Sequence, residues 1–200
     1  MTKLTVNEVK KLLENLDCSL LKKPEKDKGK RGKSLEKELG IPNTTCLRDL
    51  SDGEIKSYKI GETIAITQLN HCLIDIIDKN LDFEETKVFE KMKCVIYVAY
   101  DKDGSFINWK IVYLDDNYEH YKKIKEDYEF IRDKIKSIYN EKKLLTTITG
   151  PNMVLQIRTK ASINVKTNKY PKLVYNDQIL KDKYMAFYLC SSYGKELFNY

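Results

Sequence analysis

The chain reads as a mixed α+β domain, and three observations predict it. Apolar residues recur at threes and fours over 118–141, where Tyr121, Ile124, Tyr128, Ile131, Ile135 and Ile138 mark one face of a long helix. Two β-branched and aromatic runs, "KCVIYVAY" and "FINWKIVYL", flank "DKDGS", whose Asp-Gly is a hairpin turn signal. Helical and strand patterns are interspersed over 200 residues with no repeat or low-complexity tract, which suits one domain (1–200) with a real hydrophobic core.

Taken in order, the first helix spans 6–16, with Asn7 or Thr5 able to cap it. The basic segment "KKPEKDKGKRGK" follows as a loop, and Ser34 begins a short helix, "SLEKELG", with Gly40 at a C-cap position. "IPNTTCLRD" is an irregular approach to a first hairpin, its strands near 53–59 and 63–69 around "IGE". "NHCLIDIIDKN" fits helix or strand, and periodicity does not choose between them. After the second hairpin and the long helix come a strand in "MVLQIRTKA", the irregular "SINVKTNKYPKLVYNDQILKDK", a strand in "YMAFYLCSS" and a terminal helix.

Composition narrows the function classes. At 42% hydrophobic and 33% charged residues the chain is a folded, water-soluble type rather than a disordered one. No apolar run approaches the roughly 20 residues that cross a bilayer, and "MTKLTVNEVKKLLENL" is an amphipathic pattern rather than a signal peptide, so a cytoplasmic protein without membrane partners is expected. Cys18, Cys46, Cys72, Cys94 and Cys190 are spread out with no CxxC pair, and His71 and His120 are the only histidines. Reduced, mostly buried thiols are expected rather than disulfides or a zinc site. The net charge of +6 is modest, but its excess gathers in the 22–33 segment.

Chemistry concentrates in "DLSDGEIKSYKIGETIAITQL", 49–69. On a strand Glu54 and Lys56 share a face while Ile55 points the other way. Converging carboxylates are what a hard divalent cation such as Mg²⁺ requires, and an adjacent lysine can orient an attacking water or stabilise a developing anion. Asp49 and Glu54 as metal ligands, with Lys56 facing a scissile phosphate, fit metal-assisted phosphodiester hydrolysis. A salt-bridged, solvated strand face would show the same letters. Glu36, on the helix after the basic loop, supplies a third carboxylate, or else a surface charge paired with a neighbouring lysine. Phosphate-binding charge beside carboxylates and a lysine is what an enzyme working on DNA needs.

Several motifs in one order extend this. "KDKGKRGKSLEKELG", "DGEIKS", "EKMKCVIYV", "EDYEFIRDKI", "LQIRTKA" and "AFYLCSSYGKELF", spread over 22–198, together resemble the family of the DNA mismatch-repair nickase MutH and its relatives among type II restriction endonucleases. The resemblance implies a restriction-endonuclease-like fold with a central mixed β-sheet flanked by helices. It divides the chain into a catalytic part (22–115) and a DNA-recognition part (116–200). It also implies a catalytic centre of Glu36, Asp49, Glu54 and Lys56 with Lys91 as auxiliary lysine, Mg²⁺ held by Asp49, Glu54 and Glu36, and DNA contacts from Arg158, Lys160 and Tyr188. Asp49 matches the family's ligand across a small deletion, which makes Asp52 a rival. Arg48 and Thr159 stand where the family has prolines.

The expected activity is Mg²⁺-dependent, sequence-specific cleavage of double-stranded DNA. Lys30, Arg31 and Lys33 would clamp phosphates, and Arg158, Lys160 and the 166–172 loop would read bases, arginine to guanine first. A type II restriction enzyme at a short palindrome such as GATC is the leading reading, acting as a homodimer on DNA. A repair nickase answering to a partner protein is the alternative within the family, and a catalytically inactive DNA-binding module the alternative outside it. An RNA-binding sheet with "CVIYVAY" as its stacking face is a further one.

Overall fold

Thr5 starts the first helix, α1 (Val6–Asn15), by a reciprocal cap: its hydroxyl accepts from the Glu8 amide, and Glu8 accepts from the Thr5 amide. Val6, Val9 and Leu13 then fall on one buried face at helical spacing. Burial of each such side chain contributes about 1.5–3 kcal/mol, so this face rather than propensity holds the helix. The computed structural model describes residues 3–16, 28–42, 48–160, 163 and 168–199, with the side chains of 28–31 outside that description. The remainder of the basic loop, the 43–47 approach and most of the 161–167 stretch therefore lie outside the described residues.

Helix α2 (Lys28–Glu38) begins six residues before the expected Ser34. A seven-residue helix is short against the cost of nucleation, and the lysines and arginine ahead of Ser34 are good helix formers. Its end matches the expectation. Gly40 has φ +69°, its amide reaches the Lys37 carbonyl, and the Ile41 amide reaches the Glu36 carbonyl, closing the last turn with two reverse bonds. The backbone that carries Glu36 is thereby pinned.

The first hairpin does not form. Strand β1 (Glu54–Lys59) pairs in parallel with β3 (Cys94–Tyr100), and β3 pairs antiparallel with β4 (Phe106–Tyr113), giving a mixed sheet in the order β1-β3-β4. Strand β2 (Ile64–Gln68) belongs to another sheet. The reason lies in β3, whose seven residues are all buried and which therefore requires a neighbour on each edge and a layer on each face. Adjacency in sequence loses to that demand. The Ile60 amide extends the β1–β3 ladder to the Tyr100 carbonyl before Gly61, at φ +84°, turns the chain away. The second hairpin forms as expected.

Two compact units result: Met1–Glu62 with Lys91–Asp115 and Gly194–Tyr200, and Thr63–Glu90 with Asp116–Tyr193. In the first, Val6, Val9 and Leu13 of α1, Leu35 of α2 and Leu39 just after it form one cluster with Ile55, Ile96 and Val98 of the sheet. The architecture is α+β, a mixed sheet with helices against it. Gly53, just before β1, lies so close to Cys94 that an added Cβ would sit 2.8 Å from the Cys94 carbonyl oxygen and 2.5 Å from Val6 Cγ2. Gly53→Ala is expected to lower stability by about 2 kcal/mol and the melting temperature by about 6 °C, measured by thermal denaturation.

In the second unit, β2, β9 (Met185–Leu189), β6 (Leu155–Thr159) and β5 (Ile148–Thr149) form an antiparallel sheet in that order. Helix α4 (Tyr121–Asn140) buries Ile124, Tyr128, Ile131 and Ile135 as its periodicity predicts, and Tyr128 packs on Phe187 of β9. "NHCLIDIIDKN" is helical, a 3₁₀ turn at Leu69–His71 and a π turn at Ile74–Asp78. The stretch expected to be irregular holds a hairpin, β7 (Leu173–Tyr175) and β8 (Gln178–Lys181). Its turn residues Asn176 and Asp177 both have positive φ, 45° and 61°, the geometry of a tight hairpin turn. The terminal helix, α5, spans Ser191–Phe198. Among the described residues no helix is long and apolar enough to cross a membrane.

Cys72, Cys94 and Cys190 are free and buried as expected; Cys18 and Cys46 lie outside the described residues. Burial pushes the Cys72 thiol up to about 12 and those of Cys94 and Cys190 up to about 11. They pack as small apolar groups and are poor nucleophiles at neutral pH.

Candidate active site

β1 lies at an edge of the mixed sheet, and its alternation sorts two kinds of chemistry. Ile55 joins the core under α1 and α2, while Glu54 and Lys56 share the other face. The Glu54 side chain is 1% exposed, so its charge requires partners, and it has two. Lys56 Nζ donates to Oε2, and Lys91, at the end of α3 (Lys87–Met92), donates to Oε1 at 2.6 Å. Lys56 also reaches Asp49 Oδ2 at 3.4 Å. Four residues singled out from the sequence, Asp49, Glu54, Lys56 and Lys91, thus form one ion-paired cluster. Asp52 is engaged elsewhere: its Oδ1 accepts the Val6 amide at 2.7 Å, at the first turn of α1.

The electrostatics of the cluster are those of crowded carboxylates. Burial pushes Glu54 up; Lys56 opposes this, and the hydrogen bond and charge of Asp49 raise it further. Asp49 is also pushed up by burial, but Lys56, the hydrogen bond with Glu54, and Lys91 outweigh that and hold it low. The two carboxyls are thereby split, Glu54 held above and Asp49 below the ordinary carboxylate range, with Lys56 bridging them. Burial alone would lower the Lys56 ammonium, yet Glu54 and Asp49 keep it above its ordinary value and so charged.

Glu36 belongs to the same field. Burial and then Asp49 push its carboxyl up, Lys56 and Lys33 pull it down, and Glu54 adds to the rise. Ionised Glu36 is thus disfavoured by the fold; that cost is absent below the ordinary carboxylate range and sets in as pH rises through the raised value. Glu36→Gln is expected to raise the melting temperature at pH 7 by about 3 °C and to leave it unchanged near about pH 4. Paired thermal melts at the two pH values test it, and equal melts at pH 7 would show that Glu36 is not part of the cluster.

A surface pocket of about 360 Å³ opens beside Glu36, lined also by Lys33, Lys37 and Ile41. Lys37 was not singled out from the sequence; its signal is the one-turn spacing from Lys33, which puts both ammoniums on the Glu36 side of α2. The side chains of Lys30 and Arg31, on the first turn of α2, lie outside the described residues.

Arg158, Lys160 and Tyr188 belong to the second unit. β6 and β9 bury Leu155, Ile157, Phe187 and Leu189 on one face. The opposite face aligns Gln156 with Tyr188 and sets the Arg158 guanidinium over the Tyr188 ring, 5.8 Å from its centroid. Lys160 follows at the end of β6, its amide bonded to the Tyr184 carbonyl at 2.7 Å.

Comparison with protein-family models and with curated proteins returned no match to this chain. Function therefore rests on the chemistry of the cluster. Asp49 and Glu54 are hard oxygen donors of the kind Mg²⁺ takes, and the Lys56 and Lys91 ammoniums lie on their oxygens as a cation would. Among the described residues no group of three or more His, Cys, Asp or Glu converges as a ready metal cage. The donor set fits in chemical type, and the lysines hold its oxygens.

Proposed function

We propose that this chain is a Mg²⁺-dependent endonuclease hydrolysing phosphodiester bonds of double-stranded DNA, a cytoplasmic type II restriction enzyme acting at a short palindrome such as GATC. The observation that carries the reading is the buried Glu54 carboxylate held by two lysines beside Asp49. A structural ion pair needs one cation; a centre that handles an attacking water and a phosphate uses several charges at one place. A restriction-endonuclease-like arrangement of the mixed sheet is part of the same proposal.

In this reading Asp49 and Glu54, with Glu36, hold Mg²⁺, which when bound supplies Lewis acidity and a more acidic water. Lys56 orients the nucleophile and offsets charge growing on the phosphoryl oxygens. Lys33 and Lys37 take the phosphates beside Glu36, an affinity that is salt-sensitive and blind to sequence. Arg158, with Lys160, reads base edges from the polar face of the antiparallel sheet, where Tyr188 supports the guanidinium. Two copies on a palindrome place one centre on each strand.

Supercoiled plasmid carrying unmethylated GATC sites tests this reading. Discrete linear fragments that require Mg²⁺ support it, and the fragment ends define the site. Open circles alone assign the chain to strand nicking instead. Intact plasmid with retained duplex binding points to an inactive DNA-binding module, and preferential competition by single-stranded RNA to an RNA-binding protein.

A further inference from the structure

Each oxygen of Glu54 meets a different lysine, and the two lysines differ in what else they hold. Lys56 bridges Glu54 Oε2 and Asp49 Oδ2, tying two carboxylates together from its place on β1. Lys91 reaches Glu54 Oε1 from outside β1, across 37 positions of sequence, at 2.6 Å. Its side chain is 14% exposed against 1% for Glu54, so the lysine is the member of the pair that reaches the surface. A carboxylate shut away from water keeps its charge only with a cation on it. The same Oε1 cannot offer its lone pairs to Lys91 and to a divalent ion in full.

Building on the metal-centre reading, we propose that Lys91 is an internal counter-cation: it holds Glu54 in the metal-free protein and is displaced from Oε1 when a divalent ion loads. Ammonium and metal compete for one oxygen, so each weakens the other's hold by the same factor. The flexible four-carbon stem of a lysine suits this exchange, since the head group can move to solvent without backbone change. The device keeps the buried carboxylate compensated before the ion arrives. Metal affinity is lower as a result.

The test is calorimetric titration of the full-length protein with Mn²⁺, together with thermal melts with and without the ion. Lys91→Met is expected to bind Mn²⁺ about tenfold more tightly than the parent, to melt lower without it, and to gain more from it. Lys91→Arg, which keeps the charge, is expected to bind as the parent does. Should Lys91→Met fail to fold, Lys91→Gln is titrated in its place, with the same tightening expected. Unchanged or weaker Mn²⁺ binding in the neutral variants, with binding intact in the parent, overturns the displacement while leaving the metal centre standing. No Mn²⁺ binding by any of the proteins, parent included, overturns both.

Discussion

Glu54→Gln is expected to bind duplex DNA and fail to cut it, and to melt about 10 °C below the parent. The substitution keeps the volume of the side chain but removes a charge on which Lys56 and Lys91 both depend. Removing one member of a buried ion pair costs about 3 kcal/mol or more, because the partners are left buried and uncompensated. For a chain of this length that corresponds to the stated fall in melting temperature. On the proposed function the groups that hold DNA lie elsewhere, Lys33 and Lys37 at the pocket among them, so binding is expected to persist in a gel-shift titration. A variant that melts like the parent would remove Glu54 from its role as the anchor of the cluster.

Asp127→Ala is expected to be as damaging in the second unit, for a reason that involves no chemistry on a substrate. Asp127 is fully buried on α4, and its carboxylate accepts three backbone amides: Asn152 at 2.7 Å, and Val154 and Leu155 at 2.8 Å each. These amides lead the chain into β6, so the side chain sets where that strand begins. An alanine leaves them without an acceptor, at about 1–3 kcal/mol for each buried group, and a loss of about 4 kcal/mol overall is expected in chemical denaturation. Gly150 completes the fit. A Cβ there would lie 2.1 Å from Asp127 Cγ, so Gly150→Ala is expected to give a similar loss.

How much of this the sequence discloses depends on the range of the interaction. Local rules suffice for the α1 cap, the α2 terminus at Gly40 and the Asp-Gly hairpin, because each is decided within a few residues. The α4 core face follows from periodicity alone. Pairing of β1 is not local: β3, some forty positions away, is buried on both faces and takes β1 as its parallel neighbour, which no turn signal in "KIGE" reveals. The early start of α2 fails similarly, since glycines and charges read as loop until the helix has an apolar face to lay on the sheet. Asn176-Asp177 is a turn pair of the same local kind, both residues at positive φ, set in a stretch that otherwise reads as irregular.

Within the site, the spacing Glu54-x-Lys56 gives the shared face directly. The match across a deletion leaves Asp52 as a rival to Asp49, which is preferred because Asp52 adjoins Gly53 at the strand entry and can serve as a turn residue. In the structure the two meet different partners, Asp49 Lys56 and Asp52 the start of α1. Asp127 was invisible for the opposite reason. Its partners lie 25–28 positions downstream, and one acid beside Glu126, Glu129 and Asp133 on an amphipathic helix looks like any solvated charge.

The central claim, that the Asp49–Glu54–Lys56 cluster is a hydrolytic metal centre for duplex DNA, is tested most directly by one plasmid experiment. Supercoiled DNA of varied sequence is incubated at low salt with the parent or Glu54→Ala, in Mg²⁺ or in EDTA. The account predicts cleavage in one lane, parent with Mg²⁺. Cleavage that survives either EDTA or the loss of Glu54 would contradict it, as would intact plasmid in all four lanes.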